Sequence, residues 1–304
     1  MQESLERDLI DTVNPITASW NFLSDTYHRL GSPREFYTIS RYTTPIFGIL
    51  FLTLSLIGTY FGLFVAPADY QQGDSFRILF VHVPVAWMSM FIYIVMATAG
   101  AIGLIWRIKM AFVVTICSAP IGAAFTALAL LTGSIWGKPI WGTYWVWDAR
   151  LTSELILLFL YFGIMAVYYA FEERKVAEKA TALLSVVGVV IIPIIHYSVE
   201  WWSSLHQGAT VFAEGGPKMP AEMLLPLAFM AVGFMFFYGY ALFLSMQNRV
   251  LENEHKSRWV REMVIRQGKN NELVRFFLHG RLRLRGLDLL GFNIIGASRI
   301  CDFS

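Results

Sequence analysis

Long uncharged apolar runs alternate with short polar segments along most of the chain. A hydrocarbon core about 30 Å thick takes about 20 apolar helical residues to cross. Six runs meet or approach that length, over roughly 45–66, 82–106, 111–134, 151–171, 180–197 and 223–246. The fifth is the shortest and contains Pro193, but Ala182–Ile192 carries no charge and Lys179 flanks it, so it is read as spanning. The pattern predicts an all-α integral membrane protein, a six-transmembrane-helix bundle. It divides the chain into an N-terminal arm (1–35), a membrane domain (36–246) and a C-terminal tail (247–304), with no internal repeat.

Composition agrees: at 304 residues, 56% are hydrophobic and only 15% charged, far too apolar for a soluble domain of that size. An even number of spans puts both termini on one side, and the basic residues choose it. Of the 24 lysines and arginines, only Arg77, Lys138, Arg150 and Lys218 fall on the side opposite the termini. The termini are therefore expected in the cytoplasm (or a mitochondrial matrix), with the segment around 135–150 facing outward. Residues 1–44 lack the continuous apolar stretch of a signal peptide, so the first span is expected to serve as an uncleaved insertion signal. The net charge of +2 reflects those inner loops and gives no support for nucleic-acid binding. Cys117 lies in the third span and Cys301 in the tail, so no structural disulfide is expected, and the absence of Cys-x-x-Cys-His excludes a c-type cytochrome. In the tail, 247–269 reads as a charged helix with Trp259, Val260, Met263 and Val264 on a contact face. Arg281–Arg285 and 287–297 read as surface contact or disorder.

The unusual residues gather in three outer loops, about 67–81, 135–150 and 198–222, which hold six of the ten tryptophans. Trp136, Trp141, Trp145 and Trp147, with Tyr144, crowd one short segment. An interfacial belt explains one or two tryptophans per helix end; this density also suits a platform for a flat apolar ligand. His82 and His196 stand at the outward ends of the second and fifth spans. Pro84 is expected in the first helical turn, leaving His82 just before the regular helix. Pro193 is expected to bend the fifth span one turn before His196. Two imidazoles in one apolar, tryptophan-lined cavity suit axial ligation of haem iron, and the metal-ligand expectation is His82 with His196. The alternative is a pair of histidines bonded to helix-end carbonyls. His206, in a polar loop, reads as an outer partner or a solvated side chain. Haem propionates need cations at the wet rim, for which Arg77 and Arg150 are candidates; contact with lipid headgroups explains them equally well. Asp148 and Glu200 could orient a ligand histidine, or pair with Arg150 and cap a helix. His28, His255 and His279 are assigned nothing.

Gly133–Pro139 running into Trp141-Gly142-Thr143-Tyr144-Trp145-Val146-Trp147-Asp148-Ala149-Arg150-Leu151-Thr152-Ser153-Glu154 resembles the signature of the tryptophan-rich (WWD) haem-handling family, in its cytochrome c maturation C branch. Ala66–Gly73, Val81-His82-Val83-Pro84, His196–Trp202 and Leu205-His206-Gln207-Gly208 match it too. The likeness covers roughly 36–269, with Tyr144 where a tryptophan is common. The resemblance implies haem b at the outer face between axial histidines, here His82 and His196, in the cell inner membrane. It further implies delivery to a membrane-anchored haem chaperone, CcmE, and a complex with an ATP-binding subunit CcmA, a membrane subunit CcmB and a small helper CcmD. On this reading the chain is a binding and transfer protein, not an enzyme. A haem lyase of the same wider family would be larger, with extra spans and an outer domain. A b-type cytochrome would bury its ligands deeper in the bundle.

Overall fold

A computed structural model describes residues 31–270 apart from 203, 207, 209 and 212–214. The expectations for the arm before residue 31, for Cys301, for Arg281–Arg285 and for 287–297 lie outside the described residues. The described elements are helical: α1 (Pro33–Tyr60), α2 (Leu79–Trp106), α3 (Lys109–Trp141), α4 (Ala149–Ala170), α5 (Arg174–Gly188), α6 (Ile191–Trp201), α7 (Ala221–Asn253) and α8 (Arg258–Asn270). A π turn (Phe61–Val65) extends α1, and a 3₁₀ turn (Asp74–Ile78) leads straight into α2. With α5 and α6 read together, six helical stretches are long and apolar enough to cross a membrane, so the chain is a multi-pass membrane protein.

The boundaries follow local chemistry. Pro33 opens α1 at a position where its missing N–H costs nothing, twelve residues before the apolar run begins. At the other end, Ala66 N–H reaches back to the Phe61 carbonyl, and the Arg77 guanidinium donates to the carbonyls of Gly62 (2.7 Å) and Ala66 (3.1 Å). Those carbonyls have no helical partner of their own, so Arg77 closes the end of α1. The fifth span breaks at Val189–Val190, nearly two turns before His196 rather than the one turn expected; Pro193 has no N–H to donate to the Val189 carbonyl. The second and third spans begin and end differently from expectation. His82 lies inside the first turns of α2 rather than before the helix, because the 3₁₀ turn has already nucleated it. Helix α3 runs on through Pro139 to Trp141, so Trp136 and Trp141 are helical and not part of a loop.

Burial is uneven. About half of the most apolar window of α2 (50%) and of α3 (56%) is buried inside the protein, against 11% for α1 and its π turn, whose Ile49, Leu52, Leu56 and Phe64 face outward as lipid-facing residues do. The α2–α3 pair forms the centre, with α5 against α2, α4 against α3 and α6 against α4. Apolar burial gives little drive between helices in lipid, so close approach of small residues carries the packing. At Gly100 an added Cβ would come within 2.7 Å of Ser185 Oγ. The chain divides after Leu244 into two compact units; the second holds the end of α7, a turn at 254–257 and α8, with Arg258 bonded to Glu262 at 2.7 Å.

Candidate functional site

At one end of the first unit, α2, α3, α4, α6 and the loop after α6 enclose a cavity of about 520 Å³. That is within the roughly 300–1,000 Å³ of small-molecule sites. Its walls are largely apolar (Leu79, Val83, Ala86, Trp87, Met90, Leu130, Ile140) and carry a few polar groups: His82, His196, His206, Arg150, Glu154 and Glu200.

His82 is buried and its ring is fixed on three sides. The single hydroxyl proton of Thr132 is used on the Leu128 carbonyl (2.7 Å), so Thr132 Oγ1 accepts from His82 Nδ1–H at 3.0 Å. This arrangement selects the tautomer with an unprotonated Nε2, the form that binds a metal. Trp136 meets the ring edge-on at 5.6 Å between centroids. Gly133, one turn before the helix-borne Gly137, leaves the space the imidazole occupies: a Cβ there would be 2.9 Å from His82 Cε1.

A second imidazole, that of His206, lies 6.4 Å from His82 between ring centroids and 6.5 Å from Trp141. With a metal–imidazole bond of about 2.0 Å and a ring nitrogen about 1.1 Å from its centre, two imidazoles sharing one metal atom have centroids about 6.2 Å apart. The observed spacing suits such a pair. His196 reaches the same cavity from α6, but it is exposed and its ring lies against Tyr197 at 4.7 Å. The sequence gives His206 away only weakly, since it falls in an aperiodic loop ten residues past His196 and comes back only through the fold.

The tryptophan-rich segment splits in two. Trp136 and Trp141 line the cavity from the last turns of α3, where Trp136 Nε1–H donates to Gln72 Oε1 at 2.9 Å. Gln72 is presented by a tight turn: Asp69 Oδ1 accepts from the N–H groups of Gln71 and Gln72 at 2.9 and 2.8 Å, and Gly73 closes it with φ +58°, a conformation that favours glycine. Helix α3 stops at Gly142, φ +76°, bonded back to Lys138. Past that stop Trp145 and Trp147 leave the cavity wall and pack edge-to-face on each other at 5.4 Å, with Trp147 75% exposed.

Asp148 is the N-cap of α4, its Oδ1 accepting from Leu151 N–H at 2.8 Å and its Oδ2 from Ser204 Oγ–H at 2.5 Å. Arg150, two residues on, lines the cavity and donates to the Ile195 carbonyl at 2.8 Å, which leaves further guanidinium N–H groups for an anion. Arg77 is not among the lining residues: beyond closing α1 it pairs with Asp74 at 3.0 Å. Of the two rim cations expected, the fold brings one to the cavity. Glu154, a turn below Arg150, is a cavity residue to which the sequence pattern assigns no role. It is buried and accepts from Ser89 Oγ–H at 2.6 Å, and a lone acid in the apolar run 151–171 is the signal that could have singled it out.

Residues 26–261 match the family described as heme exporter protein C. Two proteins named heme exporter protein C, from Escherichia coli K12 and Haemophilus influenzae Rd, are 46% and 47% identical over 244 residues, 80% of this chain and 98% of each relative. A third of the same name, from Bradyrhizobium diazoefficiens, is 44% identical over 228 residues, 75% of this chain and 86% of its own.

Proposed function

The chain belongs to the heme exporter protein C family, and from that premise we propose that it binds haem b in the cavity at the outer membrane face and delivers it to the haem chaperone CcmE in cytochrome c biogenesis. The single observation that carries the ligand-binding part is the pair of cavity imidazoles, His82 and His206, spaced for one metal atom between them. His82 with His206 replaces His82 with His196 as the proposed axial pair; His196 and Glu200 line the wall beside it.

The rest of the cavity fits this cargo. Trp136 and Trp141 supply flat apolar contact next to the ligating rings, and Arg150 supplies a cation for a propionate. With Nδ1 bonded to Thr132, His82 has Nε2 left to coordinate. Haem itself supplies the iron that takes the two nitrogens and the porphyrin that the aromatic wall covers. The role is that of a transport subunit, held in the inner membrane with both termini in the cytoplasm, and CcmA, CcmB and CcmD are its proposed complex partners, with ATP hydrolysis on CcmA.

The purified protein is expected to carry six-coordinate, low-spin haem b. Replacing His82 or His206 by Ala is expected to give a five-coordinate spectrum or an empty protein, whereas His196→Ala keeps the low-spin form. A low-spin spectrum unchanged in His206→Ala and lost in His196→Ala would overturn the pairing. Delivery is read separately, as covalent haem on co-expressed chaperone in a haem-stained denaturing gel.

A further inference from the structure

His82 and His206 are held by very different means. His82 sits on a helix with Nδ1 tied to Thr132; His206 lies between α6 and α7, where the described residues form no helix or strand to fix the direction of a side chain. Ligating groups on loops are positioned less sharply than those on helices unless something else holds the backbone. One short chain of hydrogen bonds does so. The His206 backbone N–H donates to Ser204 Oγ at 3.1 Å, and Ser204 Oγ–H donates in turn to Asp148 Oδ2 at 2.5 Å. The other oxygen of that carboxylate is committed to Leu151 N–H at the start of α4. An anionic cap at a helix N-terminus is favoured by the helix's own partial charge, so Asp148 is a fixed point and not a mobile surface group.

We propose that Ser204 and Asp148 form a clasp that positions His206 opposite His82, making Ser204 a positioning residue for haem ligation. The clasp gives the aspartate of the tryptophan-rich segment a geometric role, because the segment whose Trp136 and Trp141 line the cavity also anchors the ligand that comes from another loop. Ser204 is suited to it because one hydroxyl can accept from the His206 amide while donating to the carboxylate. Alanine removes both bonds; threonine keeps both.

This inference rests on His206 as an iron ligand, and the test separates the two. Full-length Ser204→Ala, Ser204→Thr, Asp148→Asn, the Ser204→Ala/Asp148→Asn double variant and His206→Ala are purified in detergent, and two quantities are read. In haem-free protein, amide hydrogen exchange at His206 is expected to speed up in Ser204→Ala and return to the wild-type rate in Ser204→Thr. In haem-loaded protein, Ser204→Ala is expected to mix high-spin with low-spin haem and lose haem about tenfold faster, the scale set by one hydrogen bond to a charged group. Ser204→Thr restores the low-spin spectrum. The double variant is expected to be no worse than the poorer single, because both substitutions cut the same chain. If Ser204→Ala kept the wild-type spectrum, haem-loss rate and exchange while His206→Ala lost low-spin haem, the clasp would be refuted and the ligand assignment would stand. If His206→Ala stayed fully low-spin, the ligand assignment would fall and the clasp with it.

Discussion

Gly133→Ala adds one methyl group at the point where it opposes the His82 ring most directly. The new Cβ would lie 2.9 Å from His82 Cε1. Carbon pairs are at ease from about 3.5 Å, so the imidazole must retreat by about 0.6 Å. The ring is also bonded to Thr132, the residue next to Gly133 on the same helix, at 3.0 Å, and a retreat of that size away from α3 carries this bond past the useful limit of about 3.2 Å. Overpacking of this kind costs about 1–3 kcal/mol. At 1.4 kcal/mol per factor of ten, haem affinity falls by about 5- to 150-fold if the strain is felt in the bound state. The same substitution favours the helix by about 0.5–1 kcal/mol, because alanine loses less backbone freedom than glycine. The two effects have opposite signs, which makes the experiment sharp. Gly163→Ala is the control: Gly163 is also helical, and an added Cβ there meets nothing within 4 Å. Haem titration of the apoprotein and thermal unfolding are measured for both variants. Gly163→Ala is expected to unfold at or above the wild-type temperature and Gly133→Ala at or below it, and only Gly133→Ala is expected to bind weakly. Wild-type affinity and an unchanged low-spin spectrum in Gly133→Ala would refute the tight seating of His82.

The two arginines expected at the rim should separate in the same pair of measurements. Arg77→Gln removes the donors that close α1 and is expected to lower stability by about 1–3 kcal/mol, seen as a lower unfolding temperature, with haem affinity nearly kept. Arg150→Gln is expected to weaken haem binding by about tenfold or more, and dimethyl-ester haem, which has no carboxylates, should bind the variant and the wild type alike. Trp145→Ala with Trp147→Ala is expected to leave haem affinity within about threefold, whereas Trp136→Ala with Trp141→Ala lowers it by more than tenfold, since only the second pair lines the cavity.

The six spans were legible because each is an apolar run near the length a bilayer demands, and in that setting most internal prolines do not end a helix; Pro193, at the break in the fifth span, is the exception among the described residues. Pro45, Pro84, Pro120, Pro139 and Pro226 all lie inside helices. For the same reason the sequence misplaced the start of α2 and the end of α3: rules learned from water-exposed helices read Pro84 as a first turn and the Trp/Gly/Pro mixture after Trp136 as a loop. Of the cavity lining, His82, His196, Arg150 and half of the tryptophan segment were legible, since each adjoins a span end on the same side of the bundle. The choice between Trp136 and Trp147 was not, because it depends on where Gly142 turns the chain out of the helix. Nor was His206, whose backbone N–H bonds to Ser204, which in turn bonds to an aspartate 56 residues away in sequence.

If the chain delivers haem as proposed, it must hold its cargo and also let it go, and the two proposed ligands divide that work. His82 is rigid: helix, hydrogen bond, tryptophan edge and glycine floor all fix one ring position. His206 stands in a loop with its backbone N–H bonded to Ser204, and a loop opens at a smaller free-energy cost than a packed helix. Iron held by one firm ligand and one yielding ligand stays in the cavity when the second is withdrawn, with the face on that side free for an incoming group. The exposed rings of Tyr144, Trp147, Trp201 and Trp202 stand on the chain segments that continue from Trp141 and lead to His206, and they offer apolar contact to such a partner. A partner that displaced His206 from the outer side would therefore meet haem that is still oriented by His82, and it would need to break only the weaker half of the site.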